Sequence, residues 1–91
     1  MKTIKKSGQF KKDFKKYRNQ ESKLRSLFNI LCYLERGEPI PMCFRPHLLT
    51  GQYKGCMECH IESDFLLIWF DEEKNIIKLL RLGTHSELFN K

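Results

Sequence analysis

Three histidines, His47, His60 and His85, and one aspartate, Asp64, are the side chains of this 91-residue sequence with the widest chemical reach. Imidazole titrates near neutrality and can take or give a proton without a metal, which is what attack of an RNA 2′-hydroxyl on its adjacent phosphate requires. Each histidine falls where a strand-like run meets a joint: His47 in a proline-rich loop, His60 at the end of one run, His85 just after the last. Asp64 opens the run Phe65 to Phe70 and is expected to lie across a hairpin from His60, so that a carboxylate faces an imidazole. Arg45, Lys54 and Arg81 stand nearest these joints and would neutralise the extra charge of a phosphorane-like transition state. Taken singly, each histidine reads more simply as a surface or capping residue, and Asp64 as an ordinary turn residue. Together they suit metal-independent RNA cleavage, with an antitoxin-like or ribosomal RNA-binding module as the competing reading.

The cysteines raise two other chemistries. Cys32, Cys43, Cys56 and Cys59 are even in number, and Cys56-Met57-Glu58-Cys59-His60 spells the C-x-x-C-H attachment motif of c-type haem. Haem attachment usually follows translocation, yet the N-terminus keeps adding lysines where a secretory signal would place an apolar stretch. On a strand, positions 56 and 59 point to opposite faces, which opposes a shared zinc ion, and no second C-x-x-C or H-x-x-x-H completes four ligands. Half-buried thiols in a reducing compartment are therefore expected, with no haem, zinc or other cofactor and a cytoplasmic location.

The elements that must position these groups follow from hydrophobic spacing. Ile4 centres a short first strand within Lys2 to Lys6. Ser7 offers an N-cap before Phe10, Phe14 and Tyr17, an aromatic stripe at helical spacing whose other faces carry Lys11, Lys12, Lys15 and Lys16. Leu24, Leu27, Phe28, Leu31 and Leu34 then predict a second helix stopped by Gly37, and the short Arg18 to Ser22 connection suits an antiparallel helical hairpin. Glu38 to Gly51 reads as a loop, since Pro39, Pro41 and Pro46 forbid long regular structure. Tyr53 to His60, Phe65 to Phe70 and Asn75 to Leu82 are strand-length runs joined by polar turns at Ile61 to Asp64 and Asp71 to Lys74. FLLIWF is apolar on both faces and belongs at the centre of the sheet. Thr84 to Glu87 is a capping-box pattern ahead of a last helical turn. The expected fold is α+β, a helical hairpin on a twisted antiparallel sheet in the order β-α-α-β-β-β, as one domain over residues 1–91.

Charge is unevenly placed. Residues 1–36 hold 11 Lys/Arg against 3 Asp/Glu, whereas residues 37–91 hold 6 against 8, within a net +6. A basic N-terminal part suits a polyanionic partner, either nucleic acid or an acidic protein segment. The longest apolar run, Phe65 to Phe70, falls far short of the ~20 residues of a membrane span, so no membrane partner is expected.

Three blocks carry a resemblance: His47-Leu48-Leu49-Thr50-Gly51-Gln52-Tyr53-Lys54-Gly55, then Glu58-Cys59-His60-Ile61-Glu62-Ser63-Asp64-Phe65-Leu66-Leu67-Ile68, then Arg81-Leu82-Gly83-Thr84-His85-Ser86-Glu87-Leu88-Phe89. With the N-terminal S-x-Q-F-x-K-D-x-K pattern, the chain resembles the YafQ-type toxins of the RelE/ParE superfamily over nearly its full length. The resemblance implies a RelE-like fold and a ribosome-dependent mRNA endonuclease, the toxin of a type II toxin–antitoxin pair, with a cognate antitoxin, the ribosome and mRNA as partners. It implies that His47, His60, Asp64 and His85 form the active-site set, with Phe89 shaping the site. His85 resembles the general acid that protonates the leaving 5′-oxygen, Asp64 or His60 the base that accepts the 2′-hydroxyl proton, and His47 a phosphate-holding group. Phe65 is expected against substrate, at a position where one relative carries Trp, which puts base stacking there in question, and Leu48 follows His47 where that relative has proline. Other branches of the superfamily lack these histidines and poison DNA gyrase, so the histidines, not the fold, separate enzyme from inhibitor.

Overall fold

The computed structural model describes residues 1–72 and 75–89; Glu73 and Lys74, within the expected Asp71 to Lys74 turn, lie outside them. Strand β1 (Thr3–Lys6) leads into helix α1 (Gly8–Tyr17) and helix α2 (Glu21–Arg36), followed by β2 (His47–Leu48), β3 (Met57–Glu62), β4 (Phe65–Glu72), β5 (Ile76–Gly83) and a short helix α3 (His85–Phe89). Ser7 caps α1, its hydroxyl accepting from the Phe10 N–H at 3.0 Å. Gly37 ends α2 at φ +70°, its N–H returning to the Leu34 carbonyl.

The strands form one sheet in the order β1-β5-β4-β3-β2. Its β2-to-β5 meander is antiparallel, but β1 runs parallel to β5, pairing Ile4 with Ile77. The sheet is thus mixed, where an antiparallel one was expected. The chain leaves β1 through two helices to the far edge and meanders back, and the strand direction this leaves beside β1 has no signature in local sequence.

Both expected hairpins form, and β4 is covered on both faces. Phe65, Leu67 and Trp69 meet Phe10, Tyr17, Leu27 and Ile30 beneath the helices, while Leu66 and Ile68 form a second cluster with Leu88, Tyr53 and Phe89. Three details depart from the sequence reading. The buried stripe of α2 is Leu27, Ile30 and Leu34, and Phe28 is exposed, because the i, i+3, i+7 face excludes it. On α1, Asp13 lies between Phe10 and Tyr17 on the same face and is buried with them. Finally, β3 begins at Met57, since Gly51 (φ +71°) and Gly55 (φ +89°) turn the chain around a 3-10 turn at Gly51–Tyr53. None of the described helices is long and apolar enough to cross a membrane.

Candidate active site

Alternation along β3 turns Glu58 and His60 to one face while Cys59 enters the core beneath the helices. Opposite Glu58, β2 places His47. At the end of β5, Gly83 turns the chain into α3, whose first residue is His85 and whose last is Phe89. The result is a row of rings: His47 to His60, His60 to His85 and His85 to Phe89 have centroids 6.1, 5.7 and 6.0 Å apart. Tyr53 closes the row with its edge against Phe89.

The proton network differs from the expectation that Asp64 faces His60. Asp64 sits in the tight turn beyond a register shift between His60 and Glu62, and it turns to α3 instead. Its Oδ1 accepts from the His85 backbone N–H at 3.0 Å and pairs with His85 Nδ1 at 3.0 Å. The backbone bond first and the imidazole bond next hold the Asp64 carboxyl below its ordinary range. His85 Nδ1 therefore carries a proton toward Asp64, which leaves Nε2 for chemistry.

The carboxylate nearest His60 is Glu58, which the sequence reading passed over. Its side chain is buried, with Oε1 3.2 Å from His47 Nε2 and 3.8 Å from His60 Nε2, and Oε2 has no hydrogen-bond partner. His47 Nδ1 lies 2.7 Å from the Arg45 carbonyl, an oxygen that can only accept, so Nδ1 is the donor. Nε2 is thus the ring nitrogen turned toward the buried Glu58 side chain. The i, i+2 spacing of Glu58 and His60 on a strand was the available signal. Glu58, His60 and His85 also each offer a ligand atom within 4.8 Å of the others, a donor set that appears only once β3 and α3 are brought together.

The charged candidates divide. Arg45 and Lys54 are exposed. Arg81 is engaged instead of free: it bonds the buried Asp13 through Nε at 2.8 Å and the Tyr53 hydroxyl through Nη1 at 3.1 Å, and Tyr53 in turn donates to the Leu88 carbonyl. It braces α3 from behind. Lys16 pairs with Glu87, while Lys11, Lys12 and Lys15 are exposed. Phe65, expected against substrate, is fully buried, its ring 4.7 Å from that of Tyr17 and under the Lys23 ammonium, so it packs the core and cannot stack on a base. The C-x-x-C-H string is split: Cys56, just before β3, packs in the cluster near α3, and Cys59 is buried beneath the helices with its thiol pushed up to about 12 by burial.

Comparison with known proteins gives this arrangement a family. Residues 2–90 match the model of a bacterial toxin of type II toxin–antitoxin systems, YafQ. The mRNA interferase toxin YafQ of Escherichia coli K12 is 35% identical over 86 residues, spanning 91% of this chain and 90% of that protein. A metal-bound toxin from Helicobacter pylori superposes with TM-score 0.88 at 36% identity, covering 98% of this chain and 100% of its own. YafQ in the E. coli DinJ–YafQ toxin–antitoxin complex gives TM-score 0.83 at 30% identity over 97% of each chain. With near-complete coverage and one shared architecture, the chain belongs to the YafQ family of type II toxin–antitoxin toxins.

Proposed function

We propose that this protein is the mRNA-cleaving toxin of its pair, a ribosome-dependent endoribonuclease that works by histidine acid–base catalysis. The observation that carries this reading is the Asp64–His85 bond at 3.0 Å, which sets one imidazole tautomer and leaves Nε2 for proton transfer. His85 then donates from Nε2 to the leaving 5′-oxygen. Asp64, held low and spent on His85, is a poor proton acceptor, so His60, in the middle of the histidine row, takes the 2′-hydroxyl proton. The 2′-oxygen bonds phosphorus as the 5′-oxygen departs, which leaves a 2′,3′-cyclic phosphate and a 5′-hydroxyl. His47 and Arg45 hold the phosphate. The exposed Lys11, Lys12 and Lys15 meet ribosomal RNA; a cognate antitoxin is the protein partner, as the E. coli relative forms a complex with DinJ, and a segment of it covers the histidine row.

The acid–base route needs no metal, yet Glu58, His60 and His85 fit a transition-metal ion, and the unpartnered Glu58 Oε2 is a free ligand atom. Imidazole and carboxylate donors suit zinc or copper, which would supply positive charge to the phosphate. Each histidine nitrogen so engaged is lost to proton transfer, so added zinc or copper should inhibit. The main test is single-turnover cleavage of ribosome-bound mRNA, comparing the normal substrate with one carrying a 2′-deoxy residue at the scissile position. The deoxy substrate should be uncut; cutting at the normal rate would exclude 2′-hydroxyl attack.

A further inference from the structure

A cavity of about 510 Å³ opens beside His60, between the Met42–Phe44 turn and the end of β3, walled by Phe44, Arg45, His60, Ile61, Glu62 and Ser63. Resting on the ribonuclease reading above, we propose that this cavity is a nucleobase subsite: it takes the unstacked base of a nucleotide adjoining the scissile phosphate, and Glu62 and Ser63 read that base's edge.

Three observations carry the assignment. His60 belongs both to the cavity wall and to the middle of the catalytic row, so a phosphate held by the histidines brings its own nucleotide to the cavity mouth. The wall combines an aromatic ring, a guanidinium, a carboxylate and a hydroxyl, the groups with which proteins stack single-stranded bases and bond their edges. The β2–β3 ladder ends at the His47–Glu58 pair, so among the described residues no strand pairs with this edge of β3 from Cys59 onward, which leaves the edge beside the cavity unpaired by a strand.

Cavity and catalytic row are also built from one piece of backbone. Arg45 adopts a left-handed conformation at φ +50°, uncommon for a side-chain-bearing residue, with its N–H bonded to the Met42 carbonyl at 2.9 Å and its own carbonyl engaged by His47 Nδ1 at 2.7 Å. A base entering the cavity would thus register the phosphate against His47 through a rigid link, which is how base identity would be passed to the cleavage rate.

The test is two-dimensional NMR of the intact, isotope-labelled protein titrated with inorganic phosphate and, separately, with each of the four nucleoside 3′-monophosphates. Phosphate should shift Arg45, His47, His60 and His85, whereas the nucleotides should also shift the backbone amides of Phe44, Ile61 and Ser63, with affinities that depend on the base. The double change Glu62→Gln with Ser63→Ala removes two edge contacts and should weaken the preferred nucleotide by about fivefold or more while leaving phosphate binding within about twofold, given the net worth of a hydrogen bond. Glu62 also pairs with Lys23 at 3.1 Å, so Lys23→Met is the control for that ion pair alone. Nucleotide and phosphate shifting the same set of signals, or Lys23→Met reproducing the whole loss, would overturn the subsite. Because the readout needs neither ribosome nor turnover, an active protein with phosphate-only shifts sinks the subsite alone, and an inactive one with base-dependent shifts sinks the ribonuclease reading alone.

Discussion

His85 and Asp64 are both about half exposed, yet neither is an ordinary surface residue, because Asp64 accepts from the backbone and the imidazole of the same partner. That double bond fixes ring orientation as well as charge. Replacing His85 by Gln keeps a hydrogen bond to Asp64 but removes the titratable nitrogen, so single-turnover cleavage should fall by at least ~100-fold with ribosome binding retained, the usual share of a general acid. Asp64→Asn should cost less, since its amide oxygen can still accept one bond while the stabilising charge is lost. With its carboxyl already below the ordinary 3.8, Asp64 stays ionised from neutrality down through pH 4, so the acid limb of the pH–rate profile should be the same in wild type and Asp64→Asn. A limb that vanished only in the variant would make Asp64 the base after all. Glu58→Ala should be more damaging than Glu58→Gln, because an amide N–H can still donate to the His47 Nε2 lone pair whereas alanine leaves that nitrogen without its partner.

At the scale of elements, five residues of helix cannot hold themselves, and α3 is fixed from three sides. Thr84 and Glu87 form a reciprocal capping box at 2.9 and 3.2 Å, Glu87 accepts from the Tyr17 hydroxyl of α1, and Tyr53 holds the Leu88 carbonyl. Gly83 lies at φ +153°, and a Cβ there would stand 2.5 Å from Glu87 Oε1, the oxygen that makes these bonds. Gly83→Ala should therefore displace Glu87, destabilise by about 1–3 kcal/mol and depress cleavage more than Thr84→Ala, which loses only one cap bond worth about 1 kcal/mol. Thermal melts and single-turnover rates on the same preparations check the order. The box was legible from Thr84 and Glu87 alone, as were α1 from Ser7 and its aromatic spacing, α2 from its leucines and Gly37, and the double-faced β4 from FLLIWF. What local pattern could not carry was pairing between distant pieces: β1 beside β5, His47 opposite Glu58, Asp64 on His85 and Asp13 on Arg81. The histidines were found because of their residue type; Glu58 was missed because a carboxylate on a strand is unremarkable until two imidazoles converge on it.

Across the whole molecule, α1 has two opposed electrostatic tasks. Lys11, Lys12 and Lys15 face water, and reversing the charges of Lys11 and Lys15 should weaken ribosome binding and flatten its salt dependence. On the inner face, Asp13 accepts from Gln9, from Arg81 and from the Leu82 N–H at 3.0 Å, tying α1 to β5 and, through Arg81 and Tyr53, to α3. Burial alone would raise the Asp13 carboxyl, but its bonds to Arg81, Leu82 and Gln9 outweigh this and bring it below 3.8. Below pH 3.8 an unfolded Asp13 takes its proton before the folded one does, so the unfolded state binds more protons and stability drops as pH falls through the depressed value. Removing one partner of such a pair costs about 3–5 kcal/mol, a large fraction of the roughly 5–14 kcal/mol available to a chain of this length. Asp13→Ala should accordingly lower the urea midpoint sharply at pH 7, whereas Asp13→Leu with Arg81→Met, which leaves no buried charge unpaired, should recover most of it. That double variant separates support from chemistry: a refolded protein with weakened cleavage is expected if Arg81 acts by bracing α3 through Tyr53, and full activity without the guanidinium would show that α3 needs no such brace.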